Sequence, residues 1–266
     1  MLAMKGREND MRGRLQDKAI IVVGSGTGIG AATVKQLALE GAHVCAADIN
    51  VEAANRVAEE VTATGGRAFA VHVDIADETS VKEAVSLAVA QLGGLDGAHV
   101  NAADLRVIFE DSDALAEDLA VFDRTLQVNL RGHLLCTRAV LPHLLQREQG
   151  AIVYTSSSAA DVGESTRPAY AVAKSGLNAL MRHVASRWGP EGITANCVAP
   201  GFVFTPEMRA SGQLPQELLD GMLARVPGTR LGQVEDIAAV VALLLSEQGR
   251  WINGQVYNVN GGALMR

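Results

Sequence analysis

The chain has 266 residues, 48% apolar and 20% charged, and its 23 basic against 30 acidic side chains leave a formal charge of −7. That composition suits one globular domain or two small ones and excludes collagen-like and disordered classes, since Pro counts only 7. The acidic balance argues against nucleic-acid or membrane-surface partners, because either needs a basic face to meet phosphates.

The opening MLAMKGRENDMRGR lacks the hydrophobic stretch of a secretory signal, so residues 1–14 read as a mobile tail. From Lys18 onward, short apolar runs alternate with segments of helical period. The runs predict strands at 19–23, 43–47, 68–73, 97–100, 151–155, 193–199 and 255–259. Between them the spacing predicts helices at 29–40, 51–64, 77–91, 114–146, 168–188 and 235–246. Runs of Val, Ile and Ala with little polar alternation are what strands buried on both faces require. Strands joined by helices of this length call for right-handed parallel crossovers. The expected fold is α/β: a single-domain, Rossmann-like, doubly wound arrangement with a seven-stranded parallel sheet flanked by helices. The irregular stretch 201–230, with Phe202, Phe204, Met208, Leu214 and Met222, reads as a substrate lid with an apolar wall. Cys45, Cys136 and Cys197 have neither disulfide nor zinc spacing, so no metal is expected and a reduced, cytoplasmic setting is the default. The longest apolar run, 238–245, is too short to cross a bilayer.

The first strand runs into Gly24, Gly26, Gly28 and Gly30 and then a helix, a turn that lets backbone N–H groups approach a pyrophosphate. Glycines after a strand are also found in plain turns, so the second strand decides. It ends at Asp48, twenty residues after Gly28, where a carboxylate can accept both hydroxyls of an adenosine ribose and repel a 2′-phosphate. No Arg or Lys stands in the turn or just after Asp48, so the expected cofactor is NAD(H), not NADP(H). Capping of the helix at Val51 is the bland alternative for Asp48. For Asp74, at the end of the third strand, adenine contact and helix capping stand near even.

Tyr170 and Lys174 lie four apart in a strongly helical segment, hence on one face. An ammonium beside a phenol favours phenolate, lowering a pKa normally near 10, and such a tyrosine can exchange a proton with an alcohol or carbonyl. Ser157 follows the strand at 151–155, on the side of the sheet where loops form the ligand crevice.

Taken together, VGSGTGIG at 23–30, NAA at 101–103, VNLRG at 128–132, SS at 156–157, YAVAK at 170–174, PGFVFT at 200–205 and the closing WINGQVYNVNGG resemble the short-chain dehydrogenase/reductase family from about residue 15 to 262. The resemblance implies a tetrad: Ser157 holding the reacting oxygen, Tyr170 as general acid/base, Lys174 on the nicotinamide ribose, and Asn129 placing a water that relays protons. On its own, a mid-helix Asn129 reads as a polar kink or an exposed residue. The resemblance further implies carboxamide contacts from Val203 and Thr205, and cofactor contacts from Thr27, Ile29, Ile49, Ile75, Asn101, Ala102, Ala103, Pro200 and Gly201. It implies a small alcohol or ketone substrate and a homo-oligomer, a tetramer or dimer joined through 114–146 and 168–188. A 3-oxoacyl-carrier-protein reductase and a catalytically silent NAD sensor are the alternatives. The acidic charge and Asp48 weigh against the first, and the presence of both Tyr170 and Lys174 against the second. Val23, Val100 and Ala103 depart from the family pattern, the first two as an expected swap of a polar cross-strand pair for an apolar one. Asp161, where the family often has glycine, is expected to make the pocket floor more polar or differently shaped.

Overall fold

Seven parallel strands form one sheet in the order β3-β2-β1-β4-β5-β6-β7 in the computed structural model, which describes residues 13–212 and 214–265. They are β1 Ala19–Val23, β2 His43–Asp48, β3 Arg67–His72, β4 Gly97–Val100, β5 Gly150–Thr155, β6 Ile193–Pro200 and β7 Val256–Val259. Every residue of β1, β4, β5 and β6 is buried. The alternation of β1 shows why: Ile21 and Val23 enter one apolar cluster, Ile20 and Val22 the other. Both faces therefore carry helices, as unbroken apolar runs demand.

The helices are α1 Gly28–Leu39, α2 Val51–Ala63, α3 Glu78–Leu92, α4 Leu119–Leu126, α5 His133–Gln146, α6 Pro168–Trp188, α7 Pro206–Ser211, α8 Gln216–Leu223 and α9 Val234–Leu245. The helix expected over 114–146 starts later, because Asp118 caps it by accepting from Ala120 N at 2.9 Å. It is also broken by a π-helical turn, Gln127–Gly132, between α4 and α5. Two short helices, α7 and α8, occupy the stretch that shows no period in the sequence. Residues 1–12 of the expected tail lie outside the described residues, but Gly13 and Arg14 are docked: Arg14 Nε donates to Glu40 Oε2 at 2.7 Å.

Val23 and Val100 are register partners across β1 and β4, both buried, so the apolar replacement is a matched pair that leaves no orphaned donor. The chain winds outward in both directions from this β1–β4 junction. Loops leaving the carboxyl ends of strands around such a reversal enclose the ligand crevice of an open α/β sheet.

Candidate active site

The glycine turn is built so that backbone can lie against backbone. Gly24 sits at φ +82, and a Cβ there would fall 2.5 Å from Ala102 Cα. A Cβ on Gly30 would fall 1.8 Å from Gly24 O, which keeps the start of α1 pressed on the turn. Asn101, at the end of β4, donates from Nδ2 to Gly24 O at 2.8 Å and so ties the two loops of the crevice together.

Asp48 accepts from Gly26 N on Oδ2 and from Asn50 N on Oδ1, both at 2.8 Å. It does not cap α2; Asn50 does, accepting from Ala53 N at 3.1 Å. The capping alternative for Asp74 falls in the same way, since Asp77 caps α3 while Asp74 Oδ1 accepts from Ala76 N. Ile49 is exposed beside Asp48, whereas Ile75 is buried at the spot where a Cβ on Gly132 would touch it. Thr27 is the extended N-cap residue of α1, with Ile29 in its first turn.

Opposite the turn, Pro200 ends β6 and Gly201 lies close under Asn260. Val203 bridges to Gly232, and Thr205 caps α7 by accepting from Met208 N at 3.3 Å. From α7, Glu207 Oε1 accepts from Gly28 N at 3.3 Å. A carboxylate thus rests on the helix N-terminus that suits a phosphate, standing in for an anion there.

The other residues of the expected tetrad converge nearby. Ser157 is the N-cap of a short 3₁₀ turn, Ser158–Ala160, and Ser158 Oγ donates to Pro200 O at 3.1 Å, which fixes this turn to the Pro200–Gly201 corner. Tyr170 occupies the first turn of α6, with Lys174 Nζ 5.7 Å from its ring centre. Lys174 is buried and donates to Thr155 O at 2.8 Å. Asn129 is buried inside the π-helical turn, a wide turn of the kind found at functional sites, and is neither exposed nor a simple kink. Its Oδ1 accepts from Asp104 N at 2.8 Å and its Nδ2 donates to Asp104 O at 3.3 Å. The side chain thus ties the π-helical turn to the segment that follows Ala103, using one of its two amide hydrogens and one of its two acceptor sites.

Burial raises the Tyr170 phenol above its ordinary value, only partly offset by the Ser157 hydroxyl and the Arg167 charge. The Lys174 Nζ, below the phenol ring, donates to Thr155 O. Lys174 is the group that moves: burial pushes its ammonium from 10.5 down to about 8. Its titratable neighbours stay neutral, since burial lifts the Cys197 thiol to about 12 and holds the His133 imidazole well below 6.5.

Four residues at the site are invisible to motif reading. Thr155 Oγ1 donates to Asn101 Oδ1 at 2.9 Å, so it must accept from His99 Nε2, 2.8 Å away, which assigns the tautomer of that buried imidazole. Asp104 pairs with Arg106 and Arg124 at 2.6 and 2.9 Å. Asp111 accepts from the backbone of α6, and Glu207 reaches α1. None of the four has a spacing signal, because each has a partner remote in sequence. Asp161 lines a cavity of about 520 Å³ with Asn178, Arg182, Tyr257 and Asn258.

A family model described as "Enoyl-(Acyl carrier protein) reductase" matches residues 23–263. The chain belongs to the short-chain dehydrogenase/reductase family. It is 36% identical over 247 residues to cis-4-hydroxycyclohexanecarboxylate dehydrogenase of Sinomonas cyclohexanicum, covering 92% of this chain and 96% of that protein. It is 35% identical over 252 residues to a 3-oxoacyl-[acyl-carrier-protein] reductase of Staphylococcus aureus, covering 93% and 98%. Among solved structures, a 7α-hydroxysteroid dehydrogenase complexed with NADH and 7-oxo glycochenodeoxycholic acid superposes with a TM-score of 0.87 at 31% identity, covering 95% of this chain and 96% of that one. The chain is thus an oxidoreductase of a family that binds a nicotinamide cofactor and acts on small molecules. Among the described residues no helix is long and apolar enough to cross a membrane.

Proposed function

We propose that the protein is an NAD(H)-dependent dehydrogenase/reductase that interconverts a secondary alcohol and its ketone, with Tyr170 as general acid/base. The observation that carries this reading is the meeting of Ser157, Tyr170 and Lys174 beside the glycine turn at the switch point of the sheet. The Glu207 carboxylate on Gly28 N is the test of fit for the cofactor, since an anion already sits well there. When bound, the nicotinamide takes up or gives up the hydride. Asp48 receives the adenosine ribose, Asp74 the adenine, and Gly24, Thr27 and Gly28 the pyrophosphate. Lys174 holds the nicotinamide ribose, while Val203 and Thr205 meet its carboxamide. Ser157 donates to the substrate oxygen, and Tyr170 takes the hydroxyl proton during oxidation or returns it during reduction. Asn129 contributes by holding the peptide of Asp104, and with it the 101–103 segment, against the turn. The groove on α4, the π-helical turn, α5 and α6, lined by Leu126, Leu130, Leu134 and Leu180, supports the homo-oligomer reading.

A panel of secondary alcohols and ketones, read by absorbance of the reduced nicotinamide, tests the reaction. NADH should outperform NADPH in kcat/KM, and Asp48→Ala should narrow the gap by about tenfold, through loss of the ribose contacts and of the repulsion toward a 2′-phosphate. A wild-type preference for NADPH, with turnover of a 3-oxoacyl thioester, would favour the carrier-protein reductase reading supported by the Staphylococcus aureus relative.

Glu207 bears on the same site. Pyrophosphate and this carboxylate compete for one N-terminus, so Glu207→Gln should tighten NADH binding about two- to fivefold, most strongly at low salt. Fluorescence titration of NADH at two ionic strengths reads this directly, and weaker binding by the variant would contradict it.

A further inference from the structure

Tyr170 stands in the first turn of α6, where a helix has N–H groups with no partner of its own. The local sequence does little to satisfy them. The N-cap is Arg167, at φ +68 and without a side-chain cap, and Pro168 follows it. The amides of Ala169 and Tyr170 both donate to one carboxylate, Asp111, at 3.2 Å to Oδ1 and 2.8 Å to Oδ2. Asp111 is 3% exposed and belongs to the segment between β4 and α4. That segment also receives the Arg167 amide on Ser112 O at 2.8 Å. At its other end Asp104 is gripped by Asn129.

We propose that Asp111 is a positioning residue for Tyr170: it caps the catalytic helix from a distant segment and so sets where the phenol stands relative to Ser157 and the cofactor. The proposal rests on the reading of Tyr170 as acid/base. The cap acts on the turn that carries Tyr170, whereas Lys174 lies a full turn deeper and is anchored on Thr155 O. The hydrogen bonds of the glycine turn and Asp48 run instead to Asn50, Asn101 and Glu207. Loss of the carboxylate therefore frees the phenol while leaving the cofactor's contacts in place. Its charge has a second effect, since the phenol is faced by Lys174 from its own helix, by Ser157 across the crevice and by the Arg167 and Glu164 charges at the mouth. A carboxylate at the helix start opposes phenolate formation, and removing its charge favours it.

The test uses the full chain with Asp111→Ala and Asp111→Asn, and Tyr170→Phe alongside. Turnover of the best alcohol from the panel, NADH affinity by fluorescence, and titration of the tyrosine rings by carbon NMR are the readouts. Asp111→Ala should lower kcat about tenfold with NADH affinity changed less than about twofold. Asp111→Asn keeps one acceptor oxygen, enough for one of the two amides, and should recover part of kcat, while Tyr170 titrates at lower pH than in the wild type. Wild-type kcat in Asp111→Ala, or an unmoved Tyr170 titration in Asp111→Asn, overturns the assignment. Equal loss of kcat and NADH affinity in both variants also overturns it, because that is the mark of general damage to the fold. Should Asp111→Ala fail to fold, the titration in Asp111→Asn still decides. A Tyr170→Phe variant of full activity would instead sink the reading of the site itself.

Discussion

Tyr170→Phe is expected to lower kcat by about 10³-fold or more, the scale of lost general acid–base catalysis, while NADH binding stays nearly unchanged. The phenylalanine ring fills the same space, so Ser157, Lys174 and the first turn of α6 keep their places and only the transferable proton is gone. Because burial raises the phenol in the chain by itself, the proposed phenolate would depend on positive charge arriving with the oxidised cofactor. Alcohol oxidation should accordingly fall off toward acid as the phenol becomes protonated, and ketone reduction toward alkali. Stopped-flow hydride transfer across pH, with NADH affinity measured in parallel, checks the prediction. Most of the activity surviving in the variant would remove Tyr170 from the chemistry.

Lys174→Met is expected to abolish turnover and at the same time change how stability depends on pH. The wild-type ammonium is buried and shifts from 10.5 to about 8 with burial as the main cause. Its lowered pKa means that between about pH 8 and 10.5 the unfolded chain keeps a proton that the folded chain has released, so wild-type stability rises with pH through this window. The span from 10.5 to about 8 corresponds to about 3 kcal/mol. Below pH 8 the folded wild type must keep a cation out of water near neutral His133 and Cys197, a cost that methionine does not carry. Part of methionine's gain is offset by the lost bond to Thr155 O. Urea unfolding of both proteins from pH 7 to 10 should show the wild type gaining on the variant as pH rises. A difference that does not vary with pH would mean that Lys174 is not held at a depressed pKa. Instability of this kind at a catalytic position is the usual trade of stability for function.

Much of this protein is local, and what is local was legible. The strands β1 and β4 coincide with their apolar runs, and the others shift by a residue or two at an end, because uninterrupted Val, Ile and Ala runs leave little choice but a sheet covered on both faces. The four-residue interval of Tyr170 and Lys174 needs only helical geometry, and the glycine turn only the freedom of glycine at φ above zero. The pairing of Val23 with Val100 followed from a joint departure at two positions. Where neighbours in the chain compete for one role, local reasoning was less sharp. Asp48 and Asn50 both suit a helix start, and only the direction of the second strand frees the aspartate for the crevice. The 114–118 residues carry helical period, yet Asp118 starts the helix after them.

The sequence by itself determined the doubly wound α/β class and pointed to the crevice and to the residues whose groups are proposed to react there. Only the tertiary structure decided what surrounds those groups. Asp111 meets Tyr170 N across 59 positions, and Glu207 meets Gly28 N across 179. No periodicity reports contacts of that range, because they arise from how helices and loops settle on the sheet. The protonation of Tyr170 and Lys174 follows the same rule, since a pKa is set by the depth of burial and by the charges that packing brings near.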